Sequence, residues 1–192
     1  MMFNIIKRLL FNPRKGFEDV YLITISKANL LFYILLPLSF ISSIISVIRL
    51  NLIGIKYNSI HTRLSLEVSI VYGILELILL ISGTYLSIIL INSLIKSFRF
   101  LYPSDYTYRL VMFSIIPAFI GELFFLYPKF SSLSILLQLY SFYMLYQGLK
   151  CFYKGMGDKT TTVFLLIILI LLFIFTIVFG ILNTIIVNVL KV

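Results

Sequence analysis

The sequence predicts an all-α integral membrane protein: a bundle of five transmembrane helices preceded by a short N-terminal interfacial helix. Hydrophobic residues make up 61% of the 192 residues and charged residues only 12%, whereas a soluble domain is about half apolar and about a quarter charged. A soluble fold of this composition would expose large apolar patches to water. The apolar residues also fall in long runs separated by short polar stretches, which is the pattern of successive membrane spans.

Each predicted span is a run of about 20 mostly apolar residues. Five segments meet this requirement: roughly 30–48, 68–95, 107–127, 131–149 and 162–189. Residues 30–192 are therefore interpreted as a single transmembrane domain, and residues 1–29 as a cytosolic segment. The third and fourth spans are separated only by residues 127–130, so an alternative interpretation joins them as one interrupted segment. Pro128 and Lys129 favour two spans and a tight turn.

The distribution of basic residues predicts which end is cytosolic. The N-terminal stretch, the 96–109 region and the 150–159 region together hold eleven of the 16 Lys and Arg residues. Cytosolic flanks of membrane proteins carry an excess of these residues. The N-terminus is therefore expected in the cytosol and, with an odd number of spans, the C-terminus outside.

The net charge of +9 does not indicate a nucleic-acid partner. The basic residues flank apolar runs, whereas nucleic-acid binding proteins cluster them on one face or segment. The expected partners are the lipid bilayer and other membrane proteins or further copies of this chain.

Residues 2–11 predict an amphipathic helix that lies in the headgroup region of the membrane. Phe3, Ile6 and Leu10 are at helical spacing, and basic side chains lie beside them. Asn12 and Pro13 end this helix, because the residue before proline disfavours helical backbone. The expected interfacial anchors are Lys7, Arg8, Arg14 and Lys15. The alternative interpretation is a disordered tail, since ten residues are few for an isolated helix in water.

Motifs of catalysis and metal binding are missing from the sequence. No His-Glu-x-x-His, Cys-x-x-Cys or Gly-x-Ser-x-Gly pattern occurs. His61 is the single histidine and Cys151 the single cysteine, and zinc requires several nitrogen or sulfur ligands. Cys151 follows the fourth predicted span, where a lipidated thiol or a plain buried thiol are the alternatives. The protein is therefore expected to be no enzyme, with no cofactor and no metal.

Polar residues within the predicted spans form the main candidate site. A helix rises about 1.5 Å per residue, which places these side chains about 8–10 Å from the outer membrane surface. The candidates are Glu76, Glu122, Gln138, Asn183 and Ser42. No matched Lys or Arg falls within the spans. Two interpretations compete: a hydrogen-bonded layer that holds the bundle together, and a proton or cation site open to the outside.

Two stretches of the sequence resemble the Yip1 family of five-span membrane proteins. One is the run Pro13-Arg14-Lys15-Gly16-Phe17 before the first span. The other extends from Pro117 to a tyrosine-rich stretch that ends in Gly148-Leu149-Lys150. The resemblance implies a cytosolic N-terminus and an external C-terminus.

In eukaryotes the Yip1 family acts in vesicle traffic, and several members bind prenylated Rab GTPases. Those members carry a long cytosolic arm and an Asp-Leu-Tyr-Gly-Pro element, of which only Leu101-Tyr102-Pro103 is present here. The chain looks more like the compact prokaryotic relatives. The expected function is non-catalytic, in membrane organisation or trafficking-like interactions. The alternative is a small transporter or channel that uses Glu76 and Glu122.

Overall fold

The computed structural model describes residues 2–57, 60–98 and 102–190. Helices dominate this part of the chain: α1 (Met2–Phe11), α2 (Pro13–Leu22), α3 (Lys27–Leu30), α4 (Leu36–Ile48), α5 (Leu66–Ser97), α6 (Ser104–Ser114), α7 (Ile116–Glu122), α8 (Ser131–Phe152) and α9 (Lys159–Leu190). Two short strands, β1 (Ile55–Tyr57) and β2 (Ile60–Thr62), form an antiparallel hairpin. Apart from this hairpin, which was expected to be a loop, the all-α prediction is confirmed.

The first membrane helix is one continuous element from α3 through α4. A π-helical turn, Leu31–Leu35, joins α3 to α4, and a second one, Arg49–Ile53, extends α4 beyond Ile48. Pro37 follows the first π turn; it lacks an N–H group and its ring clashes with the preceding turn, which is a recognised cause of such irregularities. Gly54, with φ of 83°, ends the helix.

Helix α5 is a long helix that contacts α4, α6 and α9. Ser65 caps its N-terminus, and the helix packs against α4 on one side and α9 on another. The approach of α4 is close at Gly73, where an added Cβ would lie 2.5 Å from Val47 Cγ2. Ser43 Oγ donates a hydrogen bond of 2.6 Å to the Gly73 carbonyl oxygen. Small residues permit this backbone approach where no hydrophobic drive exists between helices.

The third and fourth predicted spans are separate helices. Pro117 lies at the start of α7, after a break at Ile115. Two 3-10 turns, Leu123–Leu126 and Pro128–Phe130, then lead into α8, which packs back against α7 and α6. The third and fourth predicted spans therefore lie on two helices that are antiparallel neighbours in the chain and contact each other.

Among the described residues, four helical segments are long and apolar enough to cross a membrane: Lys27–Ile53, Leu66–Ser97, Ser104–Leu126 and Lys159–Thr184. They contain the first and second predicted spans and most of the third and fifth. Helix α8 corresponds to the fourth; its 22 residues give about 33 Å, but it is more polar. Large apolar side chains such as Phe32, Ile89 and Phe173 are exposed on these segments, as expected for surfaces that face lipid.

The N-terminal segment consists of two helices docked on the bundle. Helix α1 has the predicted bounds, but its most buried side chains are Ile5 and Leu9, whereas Ile6 and Leu10 are only half-buried. Helix α2 was not predicted. Asn12 caps its N-terminus, and Pro13 is its first residue, a position where the missing N–H costs nothing.

Candidate functional site

The structure brings two of the predicted membrane carboxylates together with an arginine. Glu76 lies on α5 and Glu122 is the last residue of α7. Both are half-buried and within electrostatic range of one another and of Arg49. Arg49 lies just beyond the first predicted span. The π turn Arg49–Ile53 continues the helix, so Arg49 belongs to the bundle and adds a longer-range positive charge near both carboxyl groups.

Serines of α4 complete this cluster. Ser42 lies beside the Glu122 carboxyl group and Ser46 beside that of Glu76, and both serines are buried. Buried polar atoms normally have hydrogen-bond partners. Here Ser42 Oγ, Arg49 Nε and Glu76 Oε2 are buried without a hydrogen bond to any residue that the structure describes. The guanidinium of Arg49 instead lies over the Phe125 ring, 5.6 Å from its centroid.

No hydrogen bond or ion pair among the described residues joins Gln138 or Asn183 to this cluster. Gln138 is half-buried on α8, and the Asn183 side chain is exposed on α9. Similar depth along a span does not fix the direction in which a side chain points. Among the described residues no group of three His, Cys, Asp or Glu side chains is placed to hold a metal ion.

The cluster can compensate charge within the membrane. Arg49 forms no ion pair with either carboxyl group among the described residues and acts on them only at longer range. The fully ionised cluster of one guanidinium and two carboxyl groups carries one net negative charge. A proton or a monovalent cation neutralises it, and removal of the arginine leaves two carboxyl groups in surroundings that disfavour charge.

We expect Arg49→Gln to lower the free energy of unfolding by about 1 kcal/mol, because the two half-buried carboxyl groups lose the positive charge that partly offsets them. Adding Glu122→Gln is expected to recover part of this loss, with a coupling of about 0.5 kcal/mol. Thermal unfolding in detergent measures both. Arg63→Gln, at an exposed arginine, is the matched control and is expected to change stability by less than about 0.5 kcal/mol. Additive effects of Arg49→Gln and Glu122→Gln would contradict the cluster.

The four predicted interfacial anchors lie on the exposed surface of the N-terminal helices. Arg8 forms an ion pair of 2.8 Å with Asp19, and Arg14 approaches Glu18 at 3.9 Å. Lys7 and Lys15 are exposed and form no ion pair with a described residue. The segment therefore presents uncompensated positive charge that other molecules can contact.

A buried arginine attaches the N-terminal helices to the bundle. Arg109, expected from the sequence to be a flanking cytosolic charge, is buried on α6. Its Nη1 donates hydrogen bonds to the carbonyl oxygens of Val20 at 3.3 Å and Ile23 at 2.6 Å. A cation at the C-terminal end of a helix also interacts favourably with the helix dipole. Arg109 thus holds the end of α2 against the bundle.

The two stretches that carry the family resemblance contact each other. Phe17 is fully buried, and its ring lies against Gly148 so closely that an added Cβ at position 148 would be 2.9 Å from it. Gly16 lies against the backbone of Leu9, where an added Cβ would be 2.5 Å from the Leu9 Cα. At each of these two positions a side chain would clash with its neighbours, so only glycine fits. The Pro-basic-Gly-Phe element and the Gly-Leu-Lys end of α8 therefore form one structural unit.

The comparisons with known proteins give one match. No curated protein and no solved structure matches the chain. The family model described as the Yip1 domain matches residues 7–180, a range that includes the second half of α1, all of α2, Glu76, Glu122 and the end of α8. Because this match covers nearly the whole chain, the protein belongs to the Yip1 family.

Proposed function

We propose that the protein is a non-catalytic, five-span membrane protein that organises the membrane or engages other membrane proteins through its cytosolic face. The observation that carries this proposal is the docked N-terminal segment. The apolar side chains of Leu9, Phe17 and Val20 are buried within the molecule, while basic side chains such as Lys7 and Lys15 stay exposed. A surface built in this way is available to a partner without unfolding any part of the bundle.

The proposed topology treats α8 as the fourth span, with the N-terminus in the cytosol and the C-terminus outside. It is tested by cysteine accessibility in a Cys151→Ala background. A cysteine at Lys129, in the turn before α8, is expected to react with an impermeant reagent only from outside, and one at Lys154 only from the cytosol. Labelling of both positions from the same side would rule out five spans.

The partner role is tested by a photo-crosslinking residue placed at Lys15 in native membranes. We expect a discrete protein adduct at this position. The matched control is the same residue at Leu169, whose exposed side chain faces lipid in the proposed topology. Lipid adducts alone at both positions would contradict the partner role.

A second candidate function is transport through the Glu76–Glu122 cluster. The observation that favours it is that Ser42 Oγ and Glu76 Oε2 are buried without a hydrogen-bond partner among the described residues, since both oxygens could contact a transported proton or cation. Against it, Arg49 offsets the negative charge, and two surface pockets at the N-terminal helices are lined by neither glutamate.

Flux measurements separate the two functions. Liposomes that contain the protein are expected to leak protons and potassium ions no faster than protein-free liposomes. A flux that is present in the wild type and lost in Glu76→Gln would favour transport and overturn the non-catalytic, partner-binding proposal.

A further inference from the structure

A pocket with a cavity volume of 600 Å³ lies between α2 and the cytosolic end of α8. Its walls come from both resemblance stretches and from the turn after α8. The lining side chains include Arg14, Glu18, Tyr143, Gln147, Lys150 and Lys154. Three cations therefore face one carboxylate, and the pocket carries a net positive charge.

The positive charge of this pocket is weakly compensated within the molecule. Arg14 Nε and Glu18 Oε1 are 3.9 Å apart on exposed side chains, a geometry that contributes little. Lys150 and Lys154 form no ion pair with any residue that the structure describes. The Lys150 Nζ atom is instead held 4.3 Å from the centroid of the Tyr146 ring, which positions the ammonium without neutralising it.

One exposed face of α8 leads from apolar side chains into this pocket. Leu136 is 59% exposed and Leu139 is 58% exposed, and Tyr143, 48% exposed, follows at the pocket wall. Gln147 and Lys150 continue the same helical spacing of three and four residues. This succession of leucine, tyrosine and lysine matches the passage from acyl chains through the interface to the headgroups of a bilayer.

We propose that this pocket binds the headgroup phosphate of an anionic phospholipid, whose acyl chains lie along Leu136 and Leu139. Arg14, Lys150 and Lys154 supply the cationic contacts, and Gln147 and Tyr143 add hydrogen-bond donors. Basic pockets at the cytosolic ends of membrane helices are suited to such headgroups. The inference rests on the proposed position of α8 as a span, but not on the partner role of the N-terminal surface.

The test is a lipid titration of the detergent-purified full chain, read by native mass spectrometry. Phosphatidylglycerol is the anionic probe and phosphatidylcholine the neutral one. We expect tighter binding of phosphatidylglycerol to the wild type. Each basic residue near a membrane surface contributes about 1 kcal/mol, or about fivefold in affinity. The double variant Lys150→Gln and Lys154→Gln should therefore bind phosphatidylglycerol about 25-fold more weakly.

The control is the double variant Lys7→Gln and Lys15→Gln. It also removes two positive charges, but from N-terminal residues that do not line the pocket. It is expected to change the affinity less than twofold. Lys150→Arg should retain binding and shows that the pocket remains folded. Equal losses in both double variants would mean a general charge effect and overturn the site. Displacement of phosphatidylglycerol by excess inorganic phosphate would assign the pocket to a free anion instead of a lipid.

Cysteine accessibility at Lys129 and Lys154 keeps this outcome separate from the topology. If these positions label from opposite sides and the lipid preference is absent, the lipid site alone is wrong. If they label from the same side, the five-span proposal fails first.

Discussion

Phe17→Ala is expected to lower the free energy that holds the N-terminal helices on the bundle by about 3–5 kcal/mol, the usual cost of removing a buried phenylalanine ring. The side chain is 0% exposed and packs edge to face with Phe152, with ring centroids 6.0 Å apart. Gly148, which lies against the ring, has no side chain that could move into the cavity. The measurement is the rate of protease cleavage within residues 1–25, together with thermal unfolding in detergent.

Phe11→Ala is the matched control for this substitution. Phe11 is the same residue type at the end of α1, but it is 83% exposed, so the expected change is within about 0.5 kcal/mol. If the two variants are cleaved at the same rate, the N-terminal segment is not docked as described.

Arg109→Met is expected to have the second-largest effect, a loss of about 3 kcal/mol. The substitution keeps most of the side-chain volume but removes the donor that serves the carbonyl oxygens at the end of α2. Hydrogen bonds from charged groups contribute about 1.5–3 kcal/mol, and the freed carbonyl oxygens must then find water. Protease cleavage near residue 23 and the unfolding temperature should both report the loss.

The control is Lys27→Met, which removes an ion pair of 2.9 Å with Asp105 whose two side chains are both half exposed. Exposed ion pairs contribute at most about 1 kcal/mol. An Arg109→Met protein as stable as Lys27→Met would show that the end of α2 is held by packing alone.

Hydropathy predicted the long helices of this fold well, because a helix that crosses a membrane needs apolar side chains along almost its whole length. The bounds of α1 and the separation of α7 from α8 also follow from local signals, namely Asn12-Pro13 and Pro128. The π turns and α2 did not follow, since both depend on what the backbone contacts elsewhere. A π turn of five residues leaves no mark in composition.

The candidate site was predicted only in part. The similar depth of Glu76, Glu122 and Ser42 was sufficient to group them, because α4 packs against both α5 and α7. The same argument failed to connect Asn183, whose side chain is exposed on α9. Arg49 and Arg109 were both counted as loop charges, since sequence shows where a charge falls in the chain but not whether its side chain folds back into the bundle.

The docking of the first helices on α8 has a consequence for biogenesis. Tyr140 donates a hydrogen bond of 2.6 Å to the Leu10 carbonyl oxygen across a separation of 130 positions. The ribosome therefore releases the N-terminal segment long before its binding surface exists. The segment must stay undocked, accessible to the translation machinery and to chaperones, until α8 has been made and has packed into the bundle. Its closure onto the bundle therefore marks a chain that has folded as far as α8.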